Sequence, residues 1–312
     1  MTHHQNNPLP TALQFLFIPT GLMLAFFVWP LLQTVWMSLH DYSHHIQSPA
    51  FIGLGNYTRL FQNPEFWQAT WNTALLWLLV VPALVILPVF LAALVNQPLP
   101  GVSGFRLLLY LPVVVSMVVV GLAWKWLYAQ DGLLNALLTQ FNLPAINWLL
   151  DPKIALVAVA IVIIWKGAAY YMMMYVSQLQ SQSKTLYEAA SLDGANRWQQ
   201  LWHVTIPHLR PMMLFVLMIS TIGCLKVFTE IYVLTGGGPL GQTQTLVYFI
   251  YTRAFDYLDL GTACAAGLVF MLILGSISLV QFKLGQQRDG GTRQNQTKQE
   301  KQIKHIKEGG FA

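Results

Sequence analysis

Glu188-Ala189-Ala190-Ser191-Leu192-Asp193-Gly194-Ala195, followed after residues 196–203 by Val204-Thr205-Ile206-Pro207, reads as a helix–turn–helix. Residues 185–190 are mostly good helix formers, and Gly194 behind Asp193 can take the positive φ of a sharp turn. A second short helix is expected from about Ala195 to His203, ending before Pro207. Trp198, Leu201, Trp202 and Thr205 recur at the spacing of one helical face. Glu188, Asp193, Arg197, Gln199 and Gln200 supply the polar side. Long apolar runs lie on both sides of the hairpin. Taken alone, it fits a loop helix resting on its own membrane domain.

Those flanking runs set the class. Of 312 residues, 55% are hydrophobic and 9% charged, against the ~25% charged usual in soluble domains. An all-α, polytopic membrane protein is the reading. Six spans are expected, at about residues 13–32, 71–95, 105–127, 154–176, 211–232 and 263–282. The first lacks a charged leader and a small-residue cleavage site, so it is read as a retained helix behind a polar segment, 1–12. Pro19 and Pro30 should kink or end it. Residues 71–282 form the core of five spans, with the hairpin in the connection 177–210. Residues 283–312 are rich in Gln, Lys and Gly and are expected to be a basic, disordered tail.

Charge orients the spans. Outside them, Lys and Arg number one in 96–106, three in 177–210 and seven in the tail, whereas the opposite side has Arg59, Lys153 and Arg253. Eleven against three puts both termini and the hairpin in the cytoplasm. The formal charge of +5 comes mostly from the tail, which has seven basic and three acidic residues, and is no sign of nucleic-acid binding.

Charges within spans are the candidates for a transport path. Lys166 sits mid-span, where an unpaired cation costs roughly 2.5–3.5 kcal/mol. Lys226 and Glu230 are four apart and should share a face of the fifth span. Tyr170, Tyr171 and Tyr175 follow Lys166, and aromatic rings suit the apolar faces of sugars. For all of these, structural ion pairs or aromatic packing are the competing roles. Trp124-Lys125-Trp126 has the form of an interfacial anchor. No metal or cofactor is expected: His44-His45 lacks a third ligand at useful spacing, and Cys224 and Cys264 read as small apolar packing residues. Residues 236–243 nearly satisfy a phosphate-loop pattern, but Gln242 stands where lysine is required. A flexible outer loop is the better reading.

Glu188-Ala189-Ala190, three residues, Gly194, nine residues, then Val204-x-Ile206-Pro207 resembles the EAA loop of ABC-importer permeases. It departs by Val204 for Ile and Ile206 for Leu. Further likeness to the sugar-permease branch lies in Phe105-Arg106 with Leu111-Pro112, in Trp124–Trp126 with Gly132-Leu133-Leu134-Asn135, and in residues 231–239 (IYVLTGGGP). From about Asn72 onward the chain is similar to maltose- and glycerol-3-phosphate-type permeases. The resemblance implies a type I importer permease fold in a bacterial inner membrane. It also implies a second, unlike permease subunit, two cytoplasmic ATPase subunits, an extracytoplasmic binding protein and a carbohydrate cargo, with no catalysis on this chain. Glu188, Ala189, Ala190, Asp193, Gly194, Trp198, Trp202 and Pro207 would then face an ATPase. Lys166, Tyr170, Lys226 and Glu230 would be pathway candidates. A glycerol-3-phosphate or polyol-phosphate cargo is the alternative. An ion-coupled transporter would need its own charge relay and an inverted repeat, and a membrane enzyme would need a catalytic cluster on one side.

Overall fold

The computed structural model describes residues 8–42, 49–97 and 100–309; the pair His44-His45 lies outside them. Fourteen α-helices and one short hairpin follow in order: α1 (Pro8–Met23), α2 (Trp29–Ser38), β1 (His40–Asp41), β2 (Ala50–Phe51), α3 (Gly55–Gln62) and α4 (Pro64–Val95). Next come α5 (Val102–Val114), α6 (Met117–Leu127), α7 (Leu133–Gln140), α8 (Ala155–Gln180), α9 (Lys184–Leu192) and α10 (Arg197–Gln200). The last are α11 (Ile206–Leu225), α12 (Thr229–Leu234), α13 (Leu246–Tyr251) and α14 (Leu260–Gly309).

Among the described residues, five helical runs are long and apolar enough to cross a membrane: Phe15–Ser38, Pro64–Val95, Ala155–Gln180, Arg197–Leu225 and Leu260–Gly285. The expected third span is not one helix. Its halves, α5 and α6, meet at a bend of 99°, where Val115 and Ser116 are extended (ψ 139° and 140°). Pro112 accounts for part of this, since it lacks an N–H for the carbonyl one turn back and its ring crowds that turn. Helices also start or end differently from expectation. Helix α1 begins at Pro8, within the segment expected to be polar lead-in. The second span opens at Pro64, whose missing N–H is harmless at a helix start. Helix α14 continues to Gly309 through the tail expected to be disordered; no proline follows Pro239, and Gln, Lys, Arg and Glu are good helix formers.

Two prolines expected to stop helices are instead accommodated by the same device. A π turn, Leu24–Val28, precedes Pro30, and another, Leu201–Thr205, precedes Pro207. In each, the residue just before the proline donates its N–H five residues back, Trp29 to Leu24 O and Ile206 to Leu201 O. The widened turn gives room for a ring that a regular α turn would not accept.

The chain divides into two compact units, Met1–Trp67 with Phe249–Met271 and Gln68–Tyr248 with Leu272–Ala312. In the first, the antiparallel β1–β2 pair sets His40 opposite Phe51. Buried Asn56 donates Nδ2 to the carbonyls of Ser38 and His40, both at 2.9 Å. Arg253 pairs with Glu65 at 2.6 Å and lies over the rings of Phe249 and Tyr257.

In the second unit, α4, α8, α11 and α12 share a core that includes Leu76, Val80, Val162, Met172, Tyr175, Leu209, Val216 and Ile231. Lipid tails are as apolar as these side chains, so burial alone does not hold such helices together; close contact and internal hydrogen bonds do. Small residues give the contact: a Cβ on Gly121 would stand 2.7 Å from Val233, and one on Gly167 2.9 Å from Leu84. The bonds are mostly from side chains to backbone oxygens. Tyr175 Oη donates to Val85 O (3.1 Å), one turn before Pro88. Tyr128 Oη donates to Ala158 O (2.9 Å). Thr221, fully buried, accepts from both Trp77 Nε1 (3.1 Å) and Gln281 Nε2 (2.9 Å), joining α4, α11 and α14.

Candidate functional site

Two places in the second unit carry the singled-out residues: the α9–α10 hairpin and a cavity between helices. Helix α9 starts behind Ser183, whose hydroxyl accepts the Thr185 N–H. It ends in a Schellman motif. Ala195 N–H bonds Ala190 O at 2.9 Å, Gly194 N–H bonds Ser191 O at 3.1 Å, and Gly194 has φ +78°. This explains the spacing physically: the last Ala of the Glu-Ala-Ala triplet supplies the carbonyl that the turn closes on, and the glycine four residues later is the left-handed residue. Asp193 is the cap between them. Helix α10 opens at Asn196 with a reciprocal capping box to Gln199.

The second hairpin helix does not end before Pro207. Arg197 to Leu225 is one continuous run of 29 residues through the π turn. The four residues expected on one face are therefore separated, with Trp198 and Trp202 exposed and Thr205 buried. Tyr187 Oη donates to Gln182 Oε1 at 3.2 Å and accepts from Thr205 Oγ1 at 3.0 Å. Tyr187 thus fastens α9 to the base of the following span, a role that residue spacing does not display. Glu188, Ala189, Asp193 and Gly194 are exposed, and Ala190 and Pro207 half-buried. Among the described residues, Glu188 has no partner. Leu192 is 90% exposed, Trp198 64% and Trp202 57%, an apolar surface left uncovered among the described residues.

The cavity, of about 270 Å³, is lined by residues of α4, α5, α6, α8, α11 and α12, including Lys166, Tyr170, Tyr171, Cys224 and Glu230. Among the described residues Lys166 forms no ion pair. Its Nζ donates to Pro112 O at 3.0 Å and to Val115 O, the carbonyls freed where α5 ends. A cation at a helix C-terminus meets both the open acceptors and the negative end of the dipole. Glu230 is near enough for each charge to act on the other, without a direct salt bridge. Lys226 departs from expectation. Helix α11 ends at Leu225 and α12 starts at Thr229, so Lys226 and Glu230 do not share a helical face; Lys226 is exposed and does not line the cavity.

The other motifs have structural roles. Arg106 caps the end of α4, donating Nε to Val95 O at 2.9 Å and a second bond from Nη2. Buried Asn135 gathers the loop after α6, with Nδ2 bonding three carbonyls and Oδ1 accepting from Ile146 N and Trp148 Nε1. Gly132 is needed because a Cβ would lie 2.4 Å from Trp126 O. In the Trp124–Trp126 stretch only Lys125 and Trp126 are exposed; Trp124 packs on Trp165 and Tyr128. The glycine-rich loop, expected to be flexible, is tied down. Thr243 Oγ1 donates to Gly238 O (2.6 Å), Asn72 Nδ2 to Gly241 O (2.8 Å) and Gln244 O (3.0 Å), and Gly237 at φ +80° lies against Tyr248.

The sequence profile of the family described as "Binding-protein-dependent transport system inner membrane component" matches residues 9–288. The chain belongs to that family. It is 35% identical over 274 residues to the lactose transport system permease protein of Rhizobium radiobacter, covering 86% of this chain and 91% of the relative. It is 34% identical over 269 residues to the trehalose/maltose transport system permease protein of Thermococcus litoralis, covering 85% and 90%. The fold matches a bacterial ABC transporter involved in the import of the acidic polysaccharide alginate. The TM-score is 0.78 at 25% identity, covering 88% of this chain and 95% of that one. The chain is a multi-pass membrane permease.

Proposed function

We propose that this chain is one of two unlike permease subunits of an ATP-driven importer. A carbohydrate, delivered by an extracytoplasmic binding protein, crosses through it while ATP is hydrolysed on two separate cytoplasmic subunits. The chain itself performs no catalysis. Both termini and the α9–α10 hairpin face the cytoplasm, in accord with the eleven-to-three bias of basic residues. The relatives transport lactose and trehalose or maltose by name, and a structural neighbour was captured with an alginate pentasaccharide-bound periplasmic protein. These favour a sugar over glycerol phosphate and over an ion-coupled mechanism.

One observation carries the mechanism. The helical run Arg197–Leu225 starts in the hairpin and ends at the cavity wall, where Ser220, Gly223 and Cys224 lie. At 1.5 Å per residue it is a rod roughly 40 Å long. Exposed Trp198, Trp202 and Leu192 offer contact area to an ATPase, and Glu188 a charge with no partner among the described residues. Movement of that partner reaches the cavity through one element with two ends. Lys166, Tyr170 and Glu230 are the pathway residues that this cavity supports; Lys226, exposed and outside it, has no such support.

The test is uptake. A strain lacking the chain, and the same strain complemented with it, are offered a panel of labelled sugars and oligosaccharides. Loss of ATP-dependent uptake of at least one carbohydrate, restored by the chain, is the expected result. Unchanged uptake of every sugar, with loss of uptake of a non-carbohydrate solute, contradicts the reading.

A further inference from the structure

We infer that Glu230 is the selecting charge of the cavity, so that it admits uncharged sugars and excludes those bearing carboxylate or phosphate. The inference rests on the reading that this cavity lies on the transport path.

Lys166 is the cation lining the cavity among the described residues, and it is committed elsewhere. Two of its three N–H bonds go to Pro112 O and Val115 O. Both acceptors lie at the C-terminal end of α5, whose dipole places about half a negative charge there. An anion that recruited more than the one remaining N–H would have to take the lysine from these carbonyls and leave them unpaired in an apolar surrounding, which is costly. The carboxyl of Glu230 lines the same space; it accepts backbone N–H bonds from Glu230 and Phe228 and feels the Lys166 charge at a distance, with no direct salt bridge among the described residues. Lys226 is exposed and outside the lining. An anionic sugar would thus meet one carboxylate, and a cation with a single N–H left uncommitted. A neutral sugar meets an acceptor in Glu230, the Tyr170 and Tyr171 rings, and apolar walls. The alginate importer with the similar fold handles an acidic polysaccharide; the chemistry of this cavity is of the other kind.

The potential in the cavity can be read without knowing the sugar. Gly223 lines it, and a Cβ there meets nothing within 4 Å. Gly223→Cys is placed in a chain carrying Cys224→Ala and Cys264→Ala, assembled with its partners. Two methanethiosulfonate reagents of similar size, one cationic and one anionic, are applied, each rate normalised to that with a free thiol. The expected cation-to-anion ratio is one or above. It falls at least about fivefold when Glu230→Gln is added, as expected for losing one charge within several ångströms in a medium of intermediate dielectric. Faster reaction of the anion, or a ratio that Glu230→Gln leaves unchanged, overturns the inference.

The pathway reading is scored separately, by comparing rates in nucleotide-free and vanadate-trapped transporter. A severalfold change with trapping supports it, whatever the charge ratio. Equal rates in the two states, or no reaction in either, overturn it and the inference that rests on it. If Gly223→Cys does not assemble, Tyr170→Cys, half-exposed in the same cavity, serves the same two measurements.

Discussion

Gly194 bears on function through one torsion angle. Its φ of +78° closes the Schellman turn, and no neighbouring atom crowds the position. Substitution therefore acts through backbone strain alone. Asparagine tolerates the left-handed region and valine does not. Gly194→Asn should keep most transport, while Gly194→Val should lose it at a cost of roughly 2 kcal/mol or more in the turn. Initial uptake rates of the two variants, normalised to membrane-inserted permease, check the order. Arg106 offers a second residue-scale test. Arg106→Met leaves Val95 O without its charged donor, so stability should fall by about 1–3 kcal/mol. The measurement is the Tm of the solubilised complex, expected to drop by a few degrees. Gly194 was legible in the sequence because few residues can close such a turn. The partners of Arg106 and Lys166 were not, because both bond backbone oxygens, which no residue pattern displays.

At the scale of elements, two features depart from a simple count of apolar runs. The α5–α6 break falls at Val115-Ser116, which look unremarkable in an apolar run; beside Pro112, the lysine reaching in from α8 marks it. Lys166→Met should loosen the break, and Lys166→Arg should largely keep it. Distance distributions between spin labels at Leu107 and Leu122 should broaden in the first variant and stay narrow in the second. Equal distributions in both would mean that Pro112 alone sets the bend. The other feature is the run Arg197–Leu225. Pro207 reads as a stop because proline usually is one, and the π turn that absorbs it has no residue signature. Tyr187→Phe removes the hydroxyl bond to Thr205 and frees α9 from that run. Stimulation of ATP hydrolysis by loaded binding protein should then fall severalfold while the ATPase still copurifies.

For the whole molecule, the apolar runs showed four spans near their observed places, because 20 or so apolar residues leave few other options, while the fifth, expected at 211–232, runs instead from Arg197 to Leu225. Orientation rests on the positive-inside bias. A reporter fused after Gln200 should read cytoplasmic, and one after Thr262 extracytoplasmic; the opposite pair of results would remove the topology. The central claim is that the hairpin passes work from a separate ATPase to the cavity. The most direct measurement is sugar-dependent ATP hydrolysis and uptake by the reconstituted transporter carrying Glu188→Lys or Gly194→Val. The account predicts a permease that still inserts and pairs with its partner subunit but has lost uptake. The failure then shows either as a missing ATPase on copurification or as hydrolysis no longer stimulated by loaded binding protein. Uptake at the wild-type rate in both variants would contradict it, and would leave residues 188–207 as an ordinary connecting loop.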